Sequence, residues 1–406
     1  MRPTFHQPKL ARLSMDADLA PGSHRDGRGG EPERLPEPQP GSAPAVERGH
    51  LLAYRFYDIA DEVELSRVPA LLAQGATRLK LLREGSQYLE LRNPPVSVSL
   101  GTRDLNLASG TFSGELRARI YDYGAAAFVL RVPIAAGTDF DSLIALADAL
   151  YESAPFDALC RSEAAQLAKR LEPALEQPHL WEGDESYTVV FVEAFEGART
   201  TAEVLQRCDI ARLLLGERKL RISAQQRDDV MRHRHSYADD DLVVIDWNSA
   251  FVYEPSGSPD IPDVLEIANT QLLELRYYDA LLDRALDRIY DEVNRAKKPW
   301  WSLFSSKYNR LLRRTSALTL ELGEFTERVE NALRIIGDFY LARVYQSGVA
   351  RLRIDDWERS VSRKETSVEQ VYGLLKSEID TDRLLWLEVT VVLLILGELL
   401  LAVRLV

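Results

Sequence analysis

The spacing of hydrophobic positions changes along this chain, and each change predicts a different architecture. From 51 to about 255, short β-rich runs alternate with helical stretches. Strand-type runs lie at 51–57, 88–91, 96–100, 115–121, 125–132, 187–195 and 242–253. Asp122, Tyr123 and Gly124 place turn chemistry between two of them and predict a hairpin over 115–132. Thr200 with Glu203 forms a capping box ahead of a helix at 204–215, and Ser223 with Gln226 repeats the pattern before Val230. Asp139 can cap a helix at 143–151, and 159–175 has helical spacing. These elements predict an α+β globular domain over 51–256.

Beyond 256 the spacing becomes a sustained alternation of three and four. Leu265, Ala268, Leu272, Leu275, Asp279, Leu282, Leu286, Ile289 and Val293 form one a/d seam. A second runs from Phe304 through Leu311, Thr315, Leu322 and Val329 to Phe339, and a third from Ala350 through Ile354, Trp357, Val361, Lys364 and Val368 to Leu375. Pro259 and Pro262 mark the start of the first helix, Pro299 follows its end, and Gly348 separates the last two. The short connections predict a three-helix antiparallel coiled-coil stalk over 257–382. Asp279, Thr315 and Lys364 interrupt the seams. A polar residue there either fixes register or is a solvated defect.

Between 384 and 403 lie fourteen Leu, Ile and Val residues, enough for the roughly 20-residue helix that crosses a bilayer. Glu388 and Glu398 oppose insertion, but at about −0.3 to −0.6 kcal/mol per aliphatic residue the balance favours it. The expectation is a C-terminal transmembrane helix at 383–406 with Glu388 and Glu398 as intramembrane polar residues. The third stalk helix then ends at the membrane, and helices of about 50 Å return the first loop to the same surface. Lys297, Lys298, Trp300, Trp301 and Phe304 in that loop have the chemistry of an interfacial anchor, with tryptophans that pack between helices as the alternative.

Composition agrees with a folded chain: 46% of residues are hydrophobic and 28% charged. The first 50 residues differ, because a Pro/Gly-rich stretch such as GSHRDGRGGEPERLPEPQPGSAP buries too little apolar surface to offset its ordering entropy. The net charge of −13 argues against nucleic acid as a partner. Two cysteines, Cys160 and Cys208, are too few for a disulfide scaffold. No apolar core of a secretory signal opens the chain, and the flanking charges place the bulk in the cytoplasm.

The segments YGAAAF (123–128), NTQLLELRYYDALL (269–282), PWWSLF (299–304) and RLLWLEVTVVLLILGELLL (383–401) together resemble the Rmd1/YagE (DUF155) family. The resemblance extends from 51 to the end. It departs where alanines occupy 125–127 and where extra residues separate the Tyr-Gly strand from the helical hairpin. It implies a membrane-tethered scaffold with no catalytic residue, of a kind linked in eukaryotes to mitochondrial translation or organelle organisation.

No phosphate-binding Gly loop, HExxH motif, nucleophile elbow or Cys-based metal spacing occurs. His233, His235, Asp239, Asp240 and Asp241 form the best chemical cluster, since alternate residues on a strand face the same way and could join carboxylates around a metal. A solvated loop explains the same residues. The expected function is a membrane-anchored scaffold that self-associates through its stalk and presents the α+β domain to a protein partner, without cofactor or catalysis. The alternative is a membrane-tethered, metal-dependent hydrolase or nuclease using His233 and His235. The expected location is a bacterial inner membrane, spanned once at the C-terminus.

Overall fold

The computed structural model describes residues 43–72, 76–78, 93–107, 110–151, 153–218, 220–295 and 339–404. The chain divides into two units, Met1–Glu37 and Pro38–Val406, and every described residue lies in the second. Its elements are β1 (Val46–Asp58), β2 (Glu62–Val63), α1 (Val68–Leu72), β3 (Ala76–Arg78), β4 (Val96–Leu107), β5 (Gly110–Ile120), β6 (Ala125–Pro133), α2 (Phe140–Tyr151) and α3 (Ala154–Leu171). They continue with β7 (Leu175–Glu176), β8 (Glu185–Phe195), α4 (Thr201–Arg207), α5 (Ile210–Leu214), α6 (Ala224–Val230), β9 (Arg234–His235), β10 (Leu242–Ile245) and β11 (Ser249–Tyr253). Among the described residues three helices follow: α7 (Asp260–Arg295), α8 (Phe339–Leu352) and α9 (Ile354–Arg404).

Among the described residues nine strands form one sheet in the order β3-β4-β5-β6-β1-β8-β11-β10-β9. Neighbours are antiparallel except β8 and β11, which run parallel. β1 lies at the centre, and its run LLAYRFY is buried on both faces, as a strand covered by helices on either side requires. Tyr54 and Phe56 join the core beneath α7, while Arg55 and Tyr57 point to the opposite face, against α3. The expected hairpin forms, closed at Gly124 with φ 97. The capping box at Thr200 and the Ser223 cap are both present.

Three local expectations differ. The run 242–253 is two strands, because the Asp246 amide donates to the Ser249 carbonyl and closes a turn through Trp247. The helix expected at 204–215 breaks at Cys208, where Asp209 caps a new one. The last two helices separate at Arg353, in the left-handed region at φ 58, whereas Gly348 lies inside α8.

The larger correction concerns the helical half. α7 does not stand off as a stalk: residues 260–275 are buried throughout, one side on β1, β6 and β8 and the other on α8 and α9. Leu265, Ala268, Leu272, Leu275 and Leu282 enter the core together with Tyr54, Phe56 and Phe191. Ala125 and Ala127, fully buried on β6, offer little bulk where α7 crosses.

Among the described residues no helix is long and apolar enough to cross a membrane. Glu388 and Glu398 supply a physical reason, since the acid-free run 389–397 rises only about 14 Å at 1.5 Å per residue, under half the hydrocarbon thickness of about 30 Å. The transmembrane helix, the tail anchor and the single-pass membrane location are therefore corrected. Lys297, Lys298, Trp300, Trp301 and Phe304 lie outside the described residues, as do the second expected stalk helix before Phe339 and most of the N-terminal segment 1–50.

Candidate functional site

A helix buried on every side is usually apolar all round. α7 is not. Asp263, Glu266, Thr270 and Glu274 recur at intervals of three and four and face the sheet, while the apolar seam turns toward α8 and α9. The same spacing is present in the sequence as a polar stripe, hidden behind the stronger hydrophobic one.

Each polar residue meets a group on the sheet side. One Arg119 nitrogen, Nη1, is shared between Asp263 Oδ1 and Glu266 Oε2, the latter at 2.7 Å. Tyr121 Oη donates to Glu266 Oε1 at 2.8 Å, and Tyr123 Oη lies 2.7 Å from Thr270 Oγ1. Two carboxyls thus draw on one guanidinium, and Asp263 Oδ2 has no hydrogen-bond partner. Burial outweighs the attraction of Arg119 and pushes Glu266 up to about 7, and Asp263 is raised for the same reason.

Farther along α7, Asp58 ends β1 with its side chain fully buried. His179 Nε2 lies 3.0 Å from Asp58 Oδ1, at ion-pair distance without hydrogen-bond alignment, and its Nδ1 lies 3.0 Å from the Gln177 carbonyl and 3.5 Å from Asp61 Oδ1. Both ring nitrogens therefore face acceptors, an arrangement only the doubly protonated imidazolium satisfies. Burial works against that charge, but Asp58 carries the His179 pKa above its ordinary value. The ring stacks on Tyr277 with centroids 4.9 Å apart, and Trp181 meets Tyr277 edge-on at 5.8 Å. Glu274 is 2% exposed, and its Oε1 has no hydrogen-bond partner.

Arg119 thus pairs with Asp263 and Glu266, His179 lies against Asp58 and Asp61, and Glu274 adds a fifth carboxyl beside the second pair. Among the described residues no set of three or more His, Cys, Asp or Glu side chains could hold a metal ion. Burial pushes both Cys160 and Cys208 thiols up, so neither is an activated nucleophile.

The residues singled out from the sequence go elsewhere. His235 Nε2 lies 2.6 Å from Ser347 Oγ on α8, and His233 ends a 3-10 turn. Asp241 accepts the Tyr237 amide and, at 3.0 Å, the Tyr340 hydroxyl. It closes a turn and ties that turn to α8. The Asp239 carbonyl accepts the Thr201 amide at the start of α4. Glu388 is exposed on α9.

Residues 48–260 match the family described as "Uncharacterized protein MJ0711, N-terminal domain". The chain belongs to that family. The match runs from within β1 to the first residue of α7, so Asp58, Arg119, Tyr121 and His179 lie inside it and Glu266 and Glu274 beyond. A similar protein is the uncharacterized protein MJ0711 of Methanocaldococcus jannaschii, 24% identical over 176 residues, or 43% of this chain and 53% of that protein. The chain thus matches about half the length of that relative. No solved structure matches. Neither the family nor the relative carries the Rmd1/YagE name.

Proposed function

We propose that the protein is a self-associating interaction protein, in which the apolar end of α9 joins copies of the chain and leaves the α+β body free for a partner. The observation that carries this reading is the stretch 387–396, where Leu387, Val389, Val391, Val392, Leu393, Leu394, Ile395 and Leu396 are each between 45% and 66% exposed. These side chains cover every side of the helix, and contiguous apolar surface of this kind marks an interaction site.

A second copy is the occupant the pattern supports. Val389, Leu393 and Leu396 follow a/d spacing, and Trp386, Leu400 and Val403 continue the register in the sequence. This register leaves Glu388 and Glu398 outside the seam. α9 is one helix from its buried half on α7 to this apolar half, so identical copies can align in parallel. Burying a Leu, Val or Ile side chain contributes about 1.5–3 kcal/mol, so a shared seam supplies on the order of 10 kcal/mol, comparable with the cost of association. Apolar residues outside the seam favour a bundle of more than two helices.

Sedimentation velocity of the full chain at micromolar concentration tests the proposal. The wild type should sediment as an oligomer, and a Leu393→Glu, Leu396→Glu variant as a monomer with an unchanged melting temperature for the body. A monomeric wild type overturns the reading. So does a chain that binds lipid vesicles without forming oligomers.

A further inference from the structure

We infer that the contact between α7 and the end of β1 is a latch held by a proton: Glu274 docks there as a neutral carboxylic acid, and its ionisation lets α7 lift from the sheet. The inference stands without the assembly reading, because it rests on the body of the protein alone.

The groups facing Glu274 come from each element packed around it. β1 brings Asp58, and the loop after it brings Asp61, itself repelled by Glu176 of β7. The turn between β5 and β6 brings Tyr123, whose hydroxyl is engaged with Thr270. The segment before β8 brings His179, already between Asp58 and Asp61. α7 itself adds Tyr277 and Tyr278. On the side that meets α9, Arg276 pairs with Glu185 and Lys364 with Asp279 and Asp283. α8 adds Tyr345, which donates to Gln271.

Among the described residues His179 is the cation placed against Asp58 and Asp61, and Glu274 adds a third carboxyl beside them. An ionised Glu274 would add a negative charge beside Asp58 and Asp61, with no donor for Oε1 and almost no water. The neutral acid removes the repulsion and leaves a carbonyl oxygen, the less costly of the two groups to bury. Burial, and then repulsion by Asp58 and Asp61, hold Glu274 well above the usual carboxylate range.

The latch has a mechanical consequence because the next stretch of α7 anchors α9. Asp279 accepts Ser360 Oγ at 3.0 Å and pairs with Lys364 at 2.8 Å, and the Arg276 guanidinium lies over the Trp357 ring at 5.7 Å. Lifting the Glu274 turn moves this anchor, so the proton on Glu274 couples the sheet to the long helix.

The test uses the full chain, wild type and Glu274→Gln, an isostere that is permanently neutral. Amide exchange over 266–279 is followed from about pH 5.5 to about pH 8.5 and corrected for its intrinsic pH dependence. The wild type should lose at least about tenfold more protection across that range than the variant, whose remaining slope is that of Glu266. Infrared spectra of carbon-13 glutamate-labelled protein carrying Glu266→Gln, which silences the other raised glutamate, should show a protonated carboxyl band at neutral pH that adding Glu274→Gln removes. An identical pH slope in the variant overturns the inference. Should the Glu274→Gln variant fail to fold, the infrared spectrum of the Glu266→Gln protein decides, and absence of a protonated glutamate band at neutral pH refutes the inference.

Discussion

Lys364 Nζ on α9 lies 2.8 Å from Asp279 Oδ1 and 2.6 Å from Asp283 Oδ1 on α7. Asp279 and Lys364 are the residues that interrupt the heptad seams of their helices, and they interrupt them at the same level. The pair fixes the register between α7 and α9, since sliding one helix by a turn would set each charge against aliphatic neighbours. Lys364→Met should therefore destabilise the chain by about 1–2 kcal/mol, because Asp279 is largely buried and loses its counter-charge. Adding Asp279→Leu should recover most of the loss. Urea denaturation of the two single variants and the double variant gives the coupling energy, and additive effects would show that the charges do not interact.

How far the chain could be read follows from which forces are local. Capping at Thr200 and Ser223, the Gly124 turn and the alternation in β5 and β6 depend on neighbours in sequence, and each forms where its residues stand. The strand order, with β1 between β6 and β8, depends on contacts between residues far apart in sequence and leaves no local mark. The heptads of α7 were legible, but a heptad says only that one stripe is covered. That the opposite stripe carries Asp263, Glu266 and Glu274 onto a sheet follows from the placement of Arg119 and Asp58. His233, His235 and Asp241 are close in sequence, which says nothing of their partners, and the structure spends His235 and Asp241 on Ser347 and Tyr340.

Gly124→Ala should prevent folding or cost more than about 3 kcal/mol. The residue sits at φ 97, and a Cβ there would collide with the Ala60 carbonyl oxygen and crowd Asp58. Both strain and clash fall at the turn that closes β5 onto β6. Circular dichroism melts of the variant check this, and a melting temperature within a few degrees of wild type would contradict it.

The pH dependence on the alkaline side should run opposite to ordinary acid denaturation. Glu266 is raised from 4.5 to about 7 by burial, so the folded chain binds more protons at this site than the unfolded chain. Its contribution is complete below about pH 4.5 and is lost as pH rises through about 7. His50 acts in the other direction: burial, aided by Arg131, lowers it to about 4, so its contribution is present above its ordinary 6.5 and is lost as pH falls toward 4. Glu266→Gln should flatten the decline between about pH 5 and about pH 7.5 and leave the acid limb alone, while His50→Gln should flatten the acid limb. Melting temperatures across that range separate the two, and a Glu266→Gln profile parallel to wild type would rule out a proton on Glu266.

Arg55 holds the other face of the sheet together, and its removal should be the most costly polar deletion on that side. The side chain is fully buried between β1, α2 and α3. Nη2 donates to the carbonyls of Leu150 and Tyr151 at the end of α2, Nη1 to the Tyr54 carbonyl, and Nε to Asp157 Oδ1 at 2.6 Å, while the guanidinium lies 4.8 Å from the Phe156 ring centroid. One planar group thus satisfies the last carbonyls of α2, where a positive charge also meets the negative end of the helix, and the first acid of α3. Arg55→Met keeps the stem but leaves the carbonyls at the end of α2 without donors, while half-exposed Asp157 turns to water, which should cost about 2–4 kcal/mol. Arg55→Lys should recover only part, because an ammonium is a point charge and cannot span four acceptors with a rigid fork. Urea denaturation ranks the variants, and amide exchange should show α2 losing protection first. A methionine variant within about 1 kcal/mol of wild type would mean that water replaces the guanidinium at the end of α2.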